Sequence, residues 1–265
     1  MPWIHREGQA LYHQRHGQGP ALVLLHGAGS NGATWWQQLG PFSTDHTCLV
    51  PDLRCFGRSA APLEGFRLEV FVADLIAMLD AEGVAQATLL GQSLGGMVAL
   101  RAALDHPDRV RALVLCDSSL AIDHPQQLQV LRDRLSSVGG LSIEQRSLGA
   151  WFLEHRPALA ALYAQIQRFN PSHLQHPPAQ WQAALARLNE PPELTPMARL
   201  RELRCPTLLL VGREDPIVPL AVMQQVQSLV PGSELCVVEQ AAHSAYFEQP
   251  EVFNARVLEF LARLG

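Results

Sequence analysis

A chain of 265 residues, 48% hydrophobic and 17% charged, is long enough to bury a sizeable core and suits one large domain. Its net charge of −5 and lack of basic clusters count against nucleic acid as a partner. No apolar run approaches the ~18 residues that cross a bilayer, and Met1 to Gly8 hold no secretory apolar segment, so no membrane role and a cytoplasmic location are expected.

The opening residues 3–16 contain two short strand-like stretches around Gly8, which predict a hairpin. Ala21 to Leu25 is a continuous apolar run, as expected of a strand covered on both faces. It leads into His26-Gly-Ala-Gly-Ser-Asn-Gly32, a loop whose backbone must approach something closely. Trp35 and Trp36 follow. Thr47 to Pro51 reads as the next strand, ending in Asp52-Leu-Arg-Cys-Phe-Gly-Arg-Ser59. Leu68, Phe71, Val72, Leu75, Ile76 and Leu79 recur at helical spacing and predict a helix over 67–82.

Ala87 to Leu90 is another apolar run, followed by Gly91-Gln-Ser93-Leu-Gly95 and then by Met97 to Leu104, rich in helix formers. Strand, tight turn and helix are the context in which G-x-S-x-G presents a nucleophile. The turn is sharp, and a Cβ at Gly91 or Gly95 would strike the neighbouring backbone. Ser93 is then held above the sheet at a helix N-terminus, whose free N–H groups favour a developing oxyanion. Val110 to Cys116 gives one more strand, ending in Asp117.

From about 120 to 196 strand signals vanish. Helical patterns cover 125–138, 143–155, 157–169 and 178–189, separated by Gly139-Gly140, Pro157, Pro171 and Pro177-Pro178. This predicts a helical insertion. Strand texture resumes at Thr207 to Gly212, which ends in Arg213-Glu-Asp215. A helix is expected over 219–230 and a last strand over 233–238, before Ala242-His243. The final helix should run from Pro250 to about Leu264. Strands alternating with helices imply a parallel sheet covered on both faces, with ligands bound past the carboxyl ends of the strands. The loops there carry His26, Asp52, Ser93, Asp117, Asp215 and His243.

Five cysteines show no C-x-x-C spacing, and no histidine pair has metal-ligand spacing on a helix. Reduced core thiols and no metal are expected.

His26-Gly27-x-Gly29, Asp52-x-Arg54-x-x-Gly57-Arg58-Ser59, Gly91-Gln-Ser93-Leu-Gly95-Gly96, Gly212-Arg-Glu-Asp215 and Ala242-His243 together resemble the α/β-hydrolase family over essentially the full length. The resemblance implies a mostly parallel eight-stranded sheet with helices on both faces. It implies a core of residues 1–119 and 197–265, with 120–196 as a helical cap. Ser93 would be the nucleophile, His243 its base and Asp215 the acid that orients the imidazole, with Asp117 a rival for the acid because some members place it one strand earlier. The N–H groups of Ala28 and Leu94 would form the oxyanion hole. His26, Asp52 and Arg58 are read as loop-shaping residues and His106 as a surface turn residue. Trp35, Trp151 and Tyr246 are expected to line the substrate pocket. Cys55 stands where the family usually has glycine, which implies strain or a changed loop if the position needs a positive φ.

Serine at position 93 argues against the dehalogenase and epoxide hydrolase branches, whose nucleophile is a carboxylate. His243-Ser-Ala-Tyr-Phe-Glu-Gln-Pro looks more like the small carboxylesterases and enol-lactonases. The expectation is a cofactor-independent serine hydrolase of small to medium esters or lactones. Carbon–carbon bond hydrolysis or acyl transfer by the same triad, and a non-catalytic receptor on the same fold, stand as alternatives.

Overall fold

The computed structural model describes residues 2–137, 140–170 and 176–265. Its strands are β1 (Trp3–Arg6), β2 (Gln9–His16), β3 (Ala21–Leu25), β4 (Thr47–Pro51), β5 (Ala87–Gln92), β6 (Val110–Cys116), β7 (Thr207–Gly212) and β8 (Glu234–Val238). They form one eight-stranded sheet in the order β1-β2-β4-β3-β5-β6-β7-β8. β1 and β2 form the expected hairpin, closed by Glu7 and Gly8 at φ 52° and 76°. Two successive positive φ values suit the right-handed twist of the flanking strands. β2 lies antiparallel to β4, and every later neighbour is parallel.

The helices are α1 (Trp36–Phe42), α2 (Leu68–Ala81), α3 (Leu94–Asp105), α4 (Pro125–Ser137), α5 (Ile143–Ser147), α6 (Ala150–His155), α7 (Pro157–Arg168), α8 (Pro178–Arg187), α9 (Leu220–Leu229), α10 (Ala245–Glu248) and α11 (Pro250–Ala262). Parallel strands need crossovers, and the helices that supply them cover both faces. Alternation along β3 divides the core. Val23 and Leu25 pack with Phe71 and Leu75 of α2, Val98 of α3 and Val226 of α9. Leu22 and Leu24 pack on the other side with Phe42 of α1 and Phe253 and Val257 of α11. Apolar burial on both faces is what makes these strands read as unbroken hydrophobic runs. Among the described residues no helix is long and apolar enough to cross a membrane.

Between β6 and β7 the described residues form α4 to α8. The two ends of this segment meet in a parallel bridge between Ile122 and Thr195, where Thr195 N–H donates to the Ala121 carbonyl at 2.6 Å. The expected breaks at Gly139 and Pro171 lie outside the described residues, as does position 138 at the end of the first helical pattern. The single helix expected over 143–155 is two helices instead. Leu148 is extended, at φ −102° and ψ 145°. The backbone groups on either side of it bond elsewhere: the Ser147 carbonyl accepts from His243 N–H at 3.0 Å, and Gly149 N–H donates to Glu248 Oε2 at 2.7 Å. A hydrophobic period carries no sign of such tertiary bonds. Near the C-terminus the short α10 precedes the expected last helix.

Candidate active site

β5 ends at Gln92 and α3 begins at Leu94, which leaves Ser93 alone in the turn. Its φ of 52° and ψ of −114° are strained for a residue with a side chain. Four hydrogen bonds hold the strain, one of them from Met97 N–H to the Ser93 carbonyl at 3.2 Å. Ser93 N–H donates to the Cys116 carbonyl at 3.0 Å, and the Ser93 carbonyl accepts from Gly96 N–H at 3.0 Å and from Ser118 Oγ at 2.6 Å. The turn closes only because its flanks are glycine. A Cβ at Gly91 would stand 2.3 Å from the Gly95 carbonyl oxygen, and one at Gly95 would stand 2.1 Å from that of Leu25.

Ser93 Oγ lies 3.0 Å from His243 Nε2, and His243 Nδ1 lies 2.9 Å from Asp215 Oδ2. Asp215 follows β7, and its other oxygen accepts from Ile217 N–H at 2.7 Å and Val218 N–H at 3.1 Å. His243 follows β8. Its N–H reaches the Ser147 carbonyl, and its carbonyl accepts from Gln92 Nε2 at 2.7 Å. A carboxylate on Nδ1 fixes that nitrogen as the donor and leaves Nε2 to accept from the serine hydroxyl. Burial alone would push the imidazole pKa down, but the adjacent Asp215 charge outweighs it, and the net direction is up.

The imidazole's partner is Asp215, and the Asp117 carboxyl bonds to backbone N–H groups. Its Oδ1 accepts from Gly212 N–H at 2.8 Å and its Oδ2 from Ala245 N–H at 2.9 Å. It braces the loop that carries Asp215 against the start of α10. Burial first, and then the charge of Asp215, push its carboxyl up to about 7.

Glu248 was not legible as a site residue. It sits in α10, buried, with Oε1 accepting from Ala242 N–H at 2.9 Å and Ser244 N–H at 3.3 Å, on either side of His243. Its Oε2 takes Gly149 N–H, so one carboxyl ties the histidine loop to the helical segment. Burial pushes it up to about 7 against those three donors. Its only sequence signal is an acidic residue five positions beyond the histidine.

Ala28 and Leu94 line the same cavity as Ser93. Leu94 opens α3, where N–H groups have no intrahelical acceptor. His26 shapes its loop, with Nδ1 donating to the Gly27 carbonyl at 2.8 Å and Nε2 accepting from Leu53 N–H at 2.9 Å. Burial lowers its pKa, which suits the neutral ring this arrangement needs. Asp52 accepts from Gly32 N–H at 2.7 Å and Arg58 N–H at 2.8 Å, so it holds two loops together. His106 forms the turn after α3.

The aromatic pocket expected from the sequence is corrected. Trp35 and Tyr246 are core residues, their ring centroids 4.5 Å apart, with the tyrosine hydroxyl on Thr34 Oγ1 at 2.5 Å. Trp151 stacks on His155 at 4.8 Å. None of the three borders the cavity at Ser93. Closeness in sequence to a site loop does not fix which way a ring points. Cys55 does adopt a positive φ, 71°, while its N–H donates to the Ser59 carbonyl at 2.8 Å. Burial pushes its thiol up to about 12, which removes the thiolate a reactive cysteine needs.

Two compartments meet at the Ser93 end of the sheet. One of about 210 Å³ touches Ser93 and has an apolar wall that includes Met97, Leu131, Leu185, Leu188 and Ile217. The other, about 440 Å³, runs past Phe56 and Trp181 to Gln167 and Gln182. Ala28, Arg146 and Leu185 border both.

Comparison with known proteins agrees with this architecture. The chain is similar to the pimeloyl-[acyl-carrier protein] methyl ester esterase of Vibrio vulnificus (strain YJ016), 33% identical over 266 residues that cover 96% of this chain and 98% of that protein. Among solved structures it is similar to Est816, described as an N-acyl homoserine lactone degrading enzyme. The TM-score is 0.83 at 30% identity, covering 98% of this chain and 100% of the other. The enol-lactonase from Burkholderia xenovorans LB400, at 22% identity, shares the fold with a TM-score of 0.82 over 98% of this chain and 100% of its own. Residues 20–250 match the family model for the α/β hydrolase fold. The chain therefore belongs to the α/β hydrolase fold family.

Proposed function

We propose that this chain is a serine hydrolase of small to medium carboxylic esters or lactones, working through an acyl-enzyme on Ser93. The observation that carries the reading is the unbroken hydrogen-bonded line from Ser93 Oγ through His243 to Asp215. A serine hydroxyl does not attack unaided, and an imidazole at hydrogen-bond distance takes its proton. Ser93 Oγ adds to the substrate carbonyl as that proton moves to His243 Nε2. The oxyanion forms against the N–H groups of Ala28 and Leu94, where the α3 N-terminus also favours negative charge. His243 then gives its proton to the leaving alcohol oxygen. A water that passes a proton to His243 attacks the acyl carbon and releases the acid, and Ser93 regains its hydrogen. Asp215 stays ionised and stabilises the imidazolium.

Residues 120–196 act in this reading as a cap on the core of 1–119 and 197–265. Its α4, α5 and α8 supply Leu131, Arg146 and Leu185 to the walls around Ser93. The activities of the methyl ester esterase and of the lactone-degrading enzyme that this chain resembles support ester or lactone cleavage. The test is hydrolysis of p-nitrophenyl esters from acetate to decanoate, beside Ser93→Ala and labelling with a fluorophosphonate. Wild-type turnover with a loss of about 10⁴-fold or more in the variant is expected. A protein that neither turns over an ester nor labels at Ser93 overturns the reading.

A further inference from the structure

The compartment beside Ser93 is apolar apart from a few groups, and two of those are guanidinium groups. Arg134 comes from α4 and Arg146 from α5, and both border the space that Ser93 opens into. No acidic side chain lines that compartment among the described residues. Arg146 also borders the larger compartment, whose described lining is likewise free of acidic residues. Formal charge on the described walls is thus cationic, with Arg146 at the junction of the two spaces and Arg134 in the smaller one.

The two arginines are held against each other. The Arg134 side chain donates to the Arg146 backbone carbonyl, and Arg146 Nε donates to the Leu141 carbonyl at 3.0 Å. No ion pair joins Arg146 to an acidic group among the described residues. Burial disfavours the charged form of Arg134, the Asp215 carboxylate favours it, and the neighbouring Arg146 opposes it. A guanidinium is planar, keeps its charge and presents a fork of donors matched to a carboxylate. Arg134 is half-buried and Arg146 exposed; two such forks on one wall repel each other, and an anion between them replaces that repulsion with attraction. Plain leucine lining would suffice for a neutral acyl chain.

We infer that Arg146 and Arg134 make this site selective for esters or lactones that carry a carboxylate on the part of the substrate lying against α4 and α5. The inference rests on the hydrolase reading above and names its substrate class. The neutral, apolar wall of Met97, Leu188 and Ile217 takes the methylenes, and the guanidinium groups take the charged end.

Monomethyl esters of linear dicarboxylic acids with four to eight carbons, each paired with the methyl ester of the matching monocarboxylic acid, test it. The readout is the ratio of kcat/KM for the anionic ester to that for the neutral one. Wild type should favour the anionic ester at one or more lengths. Arg146→Met and Arg134→Met should each reduce that ratio by about tenfold to a hundredfold, chiefly through KM, the range of a charge-assisted hydrogen bond. Arg146→Lys should retain more of the ratio than Arg146→Met. Binding of the same esters to Ser93→Ala, with and without Arg146→Met, should show the same loss without turnover. If one arginine variant fails to fold by circular dichroism, the other carries the comparison. Wild type that cleaves the neutral esters as well as the anionic ones at every length keeps the hydrolase reading and overturns this inference, as does a ratio unmoved in both variants. Absence of both turnover and fluorophosphonate labelling overturns the two together.

Discussion

Ser93 carries backbone strain that the surrounding hydrogen bonds over-determine, and Asp215 and His243 come to it from loops 122 and 150 positions downstream. Their electrostatics set a pH dependence. In the proposed mechanism His243 must be neutral to accept a proton, and its pKa lies above the ordinary 6.5 because Asp215 outweighs the effect of burial. The ascending limb of kcat/KM for a neutral ester should therefore fall above pH 6.5, and a pH series from 5 to 9 measures it. Asp215→Asn removes the charge and turns a donor toward Nδ1, which favours the wrong tautomer. A loss in kcat of about 10⁴-fold is expected, with the limb moved to lower pH. An unmoved limb would separate Asp215 from the titration of His243.

At the scale of elements, the histidine loop is not supported by β8 alone. It is gripped by α10 through Glu248 and by the α5–α6 junction through Ser147 and Gly149. The helical segment is thus bonded directly to His243 N–H through the Ser147 carbonyl, and to the flanking backbone only by way of the Glu248 carboxyl. Glu248→Gln keeps the shape but leaves an amide facing N–H donors from both Ala242 and Gly149 across one small group. At least one of them loses its acceptor, at a cost of about 1–3 kcal/mol. Urea unfolding should report that loss. Because the strained link runs through the histidine loop, kcat should fall while KM for a short neutral ester changes little. A variant with wild-type kcat would mean that α10 holds the loop without help from the carboxyl.

Two buried carboxyls shape the stability of the whole molecule. Asp117 and Glu248 are each pushed up to about 7, above the ordinary 3.8 and 4.5. Between about pH 4 and 7 the folded chain holds protons that the unfolded chain has released, so unfolding free energy falls as pH rises through that window. His243 acts in the same sense. Its raised pKa makes a contribution that is full below the unfolded value near 6.5 and is lost as pH rises through the folded one. Burial lowers the pKa of His26 and His46, which act in the opposite sense, so the test is the difference: the change in urea midpoint from pH 5.5 to pH 7.5 should be more negative in wild type than in Asp117→Asn. An equal change in the two proteins would contradict this ordering.

The α/β class, the strand order of chemistry along the chain and the serine turn were legible because each depends on local rules. Unbroken apolar runs as short as Ala21 to Leu25, bounded by glycine-rich loops, read as strands buried on both faces, and no residue but glycine fits at positions 91 and 95 once the turn closes. The positions of Asp215 and His243 were readable because the loops after successive parallel strands all emerge at one end of the sheet. What tertiary structure decided is everything that depends on the direction of a side chain. It put Trp35 and Tyr246 into the core, gave the imidazole to Asp215 rather than Asp117, broke one helical pattern at Leu148 and buried Glu248 beneath the histidine loop. Periodicity records which residues are apolar and how they repeat. It does not record which buried polar groups meet across elements distant in sequence, and those meetings fix the site.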